Sequence, residues 1–276
     1  MKITDYPAST SLNSDDAFVI ETSSGTRKID TSDMLFSMIE ALGSRFNKAS
    51  IFRGKYLGAS VSPAQKVAIQ DGTFKNLWIG DYWTVGGVNY RIADIDYWMG
   101  IGKTQPVINH HLAIVTDSNL YNFAFEQSIT TENAYAGSYL FKTGLTQAKT
   151  MVSAAFPGMV QNYEYMLTSR ADSGEVKATD WYNTTVNILN TSMISGAGYI
   201  TPRPNNFSTV CQQDSDYRQL SLFRIAPYYI KASNGGNYWL REVSTKDAYA
   251  VSTAEGTLWA FLSNEEFGIR PVFAIG

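Results

Sequence analysis

A single cysteine, Cys211, in a chain of 276 residues excludes an intramolecular disulfide. Charge is also scarce, at 17% of residues, against about 25% in ordinary globular domains. The polar surface must therefore come from Ser, Thr, Asn and Tyr. Arg27–Lys28 is the only adjacent basic pair and the formal net charge is -3, which argues against a general binder of phosphate backbones. No nucleic acid partner is expected. No apolar stretch reaches the roughly 18 residues needed to span a bilayer, so no membrane insertion is expected. The opening residues Met1 to Asp5 contain no apolar signal core, and the expectation is that the general secretion route is not used.

Hydrophobic residues make up an ordinary 44%, ample for a real core at this length. Seventeen Tyr and six Trp raise the aromatic share to 13%. Such residues either fill a β-rich core or form recognition surfaces, where Tyr offers large contact area at small entropic cost.

Residues 1–45 read as a separate segment. Asp16 to Glu21 is a short strand, Ser23-Ser24-Gly25 a turn, and Arg27 to Asp30 a returning strand. Thr31, Ser32 and Asp33 are candidate N-caps for a helix from about Met34 to Leu42, with Gly43 as its stop. Met34, Leu35, Met38, Ile39 and Leu42 form one apolar stripe on that helix. A hairpin and three helical turns cannot cover this stripe alone. Self-association around the helix is the expectation, with packing on the chain's own larger domain as the alternative.

Residues 46–276 read as an α+β domain of short strands with two main helices. Ser62-Pro63 opens a short helix closed by Asp71-Gly72. Gly86-Gly87 is a two-residue hairpin signal between Trp83-Thr84-Val85 and Val88 to Ile92. His111 to Val115 reads as a buried strand. The periodicity predicts helices over Tyr139–Phe156 and Asp180–Ile194. Leu220–Ile225, Asn237–Val243, Ala248–Ser252 and Ile269–Ala274 are strand candidates.

Catalytic chemistry is searched for with little return. His110 and His111 are adjacent, so on a strand they point to opposite faces and do not easily share a metal. Asp94 and Asp96 can share a strand face, as a cation pair or facing solvent. Asp214-Ser215-Asp216 reads as an exposed loop, and Gly196-Ala197-Gly198 lacks the Lys and Ser/Thr of a phosphate loop. No catalytic residue, metal or cofactor is expected.

Two regions resemble known families. Ile3-Thr4-Asp5-Tyr6-Pro7, then Leu12 to Ile20, then Ser24 to Ile29, resemble the N-terminal attachment segment of many phage fibre and tail proteins. This resemblance implies docking to capsid or tail proteins of a virion and assembly as a homotrimer. Asn237-Tyr238-Trp239-Leu240-Arg241, followed by Gly268-Ile269-Arg270-Pro271-Val272-Phe273, resembles the end of a bacterial domain family of unknown function with a C-type-lectin-like core. Gly80 to Asp94 is similar to the first strands of phage proteins of this kind. Formylglycine-generating enzymes and the variable proteins of diversity-generating retroelements end similarly. The former use a cysteine pair where this chain has one cysteine, and the calcium-site signatures of sugar-binding C-type lectins are absent.

The expectation that follows is a non-enzymatic bacteriophage structural protein, a head or tail fibre or decoration, located in the virion after assembly in the host cytoplasm. Trp83, Trp239, Arg241 and Arg270 are expected in the core, the arginines satisfying carbonyls or a carboxylate, with a ligand anion as the alternative. Tyr121, Tyr135, Tyr199, Phe207, Tyr217 and Trp259 are the candidate contacts to a bacterial surface receptor. The main alternative is a retroelement-diversified ligand binder, with Asn234, Asn237, Tyr238 and Tyr249 as variable positions. An enzyme of the formylglycine-generating type is the remaining one.

Overall fold

The structure is a computed structural model, described over residues 17–22, 25–41, 47–196 and 216–276. Its contacts divide the chain into two compact units, residues 1–47 and 48–276.

In the first unit, β1 (Ala17–Thr22) pairs antiparallel with β2 (Gly25–Asp30), and α1 (Thr31–Ala41) follows directly. The Asp33 amide donates to Asp30 Oδ1 at 2.6 Å. Asp30 therefore supplies the capping carboxylate, and the helix starts a turn earlier than its apolar stripe suggests. α1 buries none of its residues, and Leu35 and Met38 are 54% and 56% exposed. Leu42 lies outside the described residues.

The second unit begins with a single 3-10 turn, then β3 (Tyr56–Gly58), α2 (Pro63–Gln70), β4 (Tyr82–Val85), β5 (Val88–Ile95), β6 (Leu112–Thr116), β7 (Asn122–Ala124) and α3 (Ala134–Gly137). There follow α4 (Leu145–Ala155), β8 (Tyr163–Asp172), β9 (Glu175–Thr184), β10 (Asn187–Ile188), α5 (Thr191–Ser195) and α6 (Ser221–Ile225). The chain ends with β11 (Tyr238–Val243), β12 (Ala248–Ser252), β13 (Leu258–Leu262), β14 (Glu266–Gly268) and β15 (Pro271–Ile275). The fold is α+β, with strands dominating.

A six-stranded sheet runs β10-β15-β6-β5-β4-β3 and a five-stranded sheet β13-β12-β11-β14-β7, with β8 and β9 forming a separate ribbon. The last strand thus sits inside the larger sheet, closing it with a long-range pairing. β5 and β6 carry continuous buried runs (Tyr90 to Asp94 and Leu112 to Thr116), as strands covered on both faces must. α4 lays Leu145, Ala148, Val152 and Ala155 into the core. Phe156, just past its end, meets Trp83 and Tyr90 edge to face at 5.9 and 5.2 Å, a favoured aromatic geometry. A π-turn over Leu140–Gly144 precedes α4, so the expected helix of Tyr139–Phe156 is real but irregular at its start. Ser62 caps α2 through a reciprocal pair: its hydroxyl accepts from the Gln65 amide, and Gln65 Oε1 accepts from the Ser62 amide.

Two expected elements are of the other type. Residues 180–194 are not a helix: Asp180 to Thr184 belong to β9, and only Thr191–Ser195 turn helically. The apolar spacing of Trp181, Val186, Leu189 and Met193 mimicked a helical face. The deciding signal is the turn upstream, where Ser173 and Gly174 adopt φ of 52° and 85°. Two consecutive positive values make the mirror-type hairpin turn that matches strand twist. Leu220–Ile225 is the helix α6, because a short apolar run fits either element and only its surroundings arbitrate.

Candidate functional site

Most of the charged residues singled out by the sequence are internal ties. Arg270 is fully buried and donates to the carbonyls of Thr116, Ile230 and Tyr229 at 2.7–2.8 Å. It joins the end of β6 to the turn before β11. Arg241 donates to Asp216 Oδ2 at 2.6 Å, and Trp98 Nε1 donates to the other oxygen of the same carboxylate. Asp216 is therefore buried, not part of an exposed loop. Asp214 and Cys211 lie outside the described residues. Arg91 donates to both oxygens of Asp117 at 2.7 and 2.5 Å and lies between the rings of Tyr82 and Tyr229. Arg53 and Asp81 form a third buried pair at 2.6 Å.

The paired carboxylates do not act together. Asp94 is buried and accepts from the amides of Ile95 and Ser221, and burial raises its carboxyl above the ordinary range. Asp96 has left the strand with φ of 52° and takes His110 Nδ1 at 2.8 Å and the His111 amide at 2.9 Å. His111 is fully buried: Nε2 accepts from the Trp98 amide and Nδ1 donates to the Asn109 carbonyl, both at 3.0 Å. Among the described residues, no three of His, Cys, Asp and Glu are placed to hold a metal ion.

The six candidate surface aromatics separate. Tyr135 is fully buried, with its hydroxyl between Asn187 and the Ile188 amide, so it is a core residue and no contact site. Tyr121 is half-buried, donating to the Gly144 carbonyl at 2.6 Å and accepting from the Ala148 amide at 3.0 Å. It ties β7's approach to the start of α4. Tyr217 and Trp259 are exposed, at 71% and 65%, on separate segments. Tyr199 and Phe207 fall outside the described residues. Trp83 and Trp239 are fully buried. Tyr238 and Tyr249 are buried too, donating to the carbonyls of Ile230 and Ala134. Varying them would disturb the core, which weighs against their use as variable contact positions.

One groove was not anticipated. The β5–β6 connection and the start of β8, with Asn183 on β9, enclose a groove of about 850 Å³. Its walls carry Gln105, Asn109, Gln161, Asn162 and Asn183, with Pro106 and Ile108 as apolar surface. Tyr163 lies beneath it, 9% exposed, with a buried hydroxyl that has no hydrogen-bond partner. Burial, with Asp96 adding to it, pushes that phenol far above its ordinary range, so it stays neutral.

The outer wall is held in place. Gly102 adopts φ of 133°, and a Cβ there would stand 2.5 Å from the Gln105 carbonyl oxygen. Glycine is what this turn permits. Val107 exchanges backbone hydrogen bonds with Gly100 and Ile101 at 2.8 Å. Glu164 Oε2 accepts from the amides of Lys103 and Thr104 at 2.7 and 2.8 Å, and these backbone hydrogen bonds, Thr104 foremost, hold its carboxyl below the ordinary range. The sequence signal for this site is weak: five amide side chains spread over three segments that only the fold assembles. No protein-family model, curated protein or solved structure matches this chain.

Proposed function

We propose that this chain is a structural protein of a bacteriophage virion, a head or tail fibre or decoration, in which residues 1–47 attach and oligomerise and residues 48–276 form a display domain facing a bacterial surface. The observation that carries this reading is the division into two compact units, the smaller of which contains an amphipathic helix with none of its residues buried. Capsid or tail proteins, or further copies in a homotrimer, are the natural cover for Leu35 and Met38. The phage-like segment Ile3 to Ile29 supports the same assignment. A C-type-lectin-like organisation of the larger unit is part of the proposal. It draws on Arg241 and Arg270 as internal ties and on a C-terminal strand inserted within a sheet. The reading is non-enzymatic: the paired carboxylates and arginines serve as internal hydrogen-bond anchors.

Deletion of residues 1–47 tests it. The remaining domain should keep its cooperative melt yet disappear from purified particles, scored by immunoblot. Retained incorporation refutes the anchoring role. Replacing Leu35 and Ile39 together with Asp should lower the mass measured by light scattering to that of a monomer.

A further inference from the structure

We propose that the groove between residues 104–109 and 161–164, completed by Asn183, binds a neutral saccharide. The inference rests on the display reading only for the source of the sugar, a bacterial surface glycan.

Four features converge. The side chains of Gln105, Asn109, Asn162 and Asn183 line the groove and make no hydrogen bond to the rest of the described chain. Each amide presents both donors and an acceptor, the complement of a sugar hydroxyl, which both donates and accepts. Among the described residues no lysine or arginine lines the groove, and Glu164, held below the ordinary carboxylate range, keeps a negative charge at its edge. Phosphate and carboxylate ligands would meet the Glu164 charge there, with Lys103 beside the rim and not among the lining residues. Ile108, 80% exposed, and Pro106 supply apolar surface against which the C–H face of a pyranose can lie. Beneath these groups the Tyr163 ring lines the groove, its phenol kept neutral by burial, so it adds an uncharged aromatic wall.

Volume and rigidity agree. About 850 Å³ falls within the range of small-ligand clefts, roughly 300–1,000 Å³. The outer wall is fixed by the Gly102 turn, the Val107 backbone pairs and the Glu164 contacts, so little ordering cost remains at binding. Among the described residues no three of His, Cys, Asp and Glu are placed to hold a metal ion, and the proposed binding is independent of calcium.

The test uses the full chain on an array of neutral oligosaccharides built from glucose, galactose, rhamnose and N-acetylglucosamine, beside anionic glycans and a random peptide set, with and without EDTA. Binding to a neutral saccharide that survives EDTA is expected. The double variant Asn109→Ala/Asn183→Ala changes exposed positions and should melt as the parent does. It should bind at least about tenfold more weakly, the loss expected when hydrogen-bond partners vanish from a site built around them. In the parent, titration with the bound sugar should shift the side-chain amide resonances of Asn109 and Asn183. No neutral sugar bound, binding confined to anionic glycans or peptides, loss with EDTA, or undiminished binding by the variant each overturns the proposal. Saccharide binding by a chain absent from particles would defeat the virion reading alone. Particle incorporation without saccharide binding would defeat this inference alone.

Discussion

Replacing Arg91 with Met is the sharpest test of how this domain is held together. The Arg91 guanidinium donates to both Asp117 oxygens and to the Gly80 carbonyl, and lies 4.5 and 4.3 Å from the ring centres of Tyr82 and Tyr229. Asp117 is 8% exposed. Without the arginine its remaining side-chain partner among the described residues is Asn89 Nδ2 at 3.3 Å. Two unit charges about 4 Å apart interact by about 4 kcal/mol at an effective dielectric constant near 20. Breaking a buried pair from one side typically costs about 3–5 kcal/mol, because the other charge stays buried. The two estimates agree. Arg91→Met should therefore cost about 3–5 kcal/mol in urea unfolding, or a fall of about 6–20 °C in Tm at this size. The double variant Arg91→Met/Asp117→Leu removes both charges and should recover most of that loss. A coupling of at least about 2–3 kcal/mol is expected from the cycle. If Arg91→Met costs less than about 1 kcal/mol, as an exposed pair would, the pair is not buried in solution. If the two substitutions simply add, the pair is not the stabilising unit.

Two further outcomes follow from the same structure. Trp239 is fully buried, donates from Nε1 to the Phe123 carbonyl at 2.8 Å, and meets Phe125 and Phe267 at 5.3 and 4.9 Å. Trp239→Ala should cost about 3–5 kcal/mol by urea titration, and a loss under about 1 kcal/mol would place the indole outside the core. Burial holds the His111 imidazole below its ordinary value, against the opposing hydrogen bond to Asn109. The folded state then binds fewer protons than the unfolded one. The stability that neutral His111 contributes is complete above its unfolded value of about 6.5 and is lost as pH falls below it. An NMR titration should find the His111 midpoint below its ordinary value, and a midpoint at or above that value would contradict the burial of the ring.

Local chemistry announced much of this molecule. The stripe of Met34 to Ile39, Ser62-Pro63, Gly86-Gly87 and Leu145 to Ala155 each carry a cap, turn or period and lie in the type of element expected, although α1 starts at Thr31 on an Asp30 cap where a start near Met34 with Thr31, Ser32 or Asp33 as cap was expected. The buried Trp83, Trp239, Arg241 and Arg270 were also legible, since large apolar rings and multi-donor guanidinia within strand sequences belong at a core or its edge. Tertiary structure decided the rest. Residues 180–184 joined a strand because the Ser173–Gly174 turn offered β8 as a partner, and pairing overrides an apolar spacing that fits either period. Tyr135 went inward because Asn187 and Ile188 arrive from a distant part of the chain to satisfy its hydroxyl. The groove has no local signature at all: Gln105, Asn162 and Asn183 come together only when the ribbon of β8 and β9 is fastened by Glu164 to the β5–β6 connection. Caps and turns are governed by neighbours a few residues away, which a sequence displays. A binding surface is governed by which distant segments meet, which the packing of the whole chain determines.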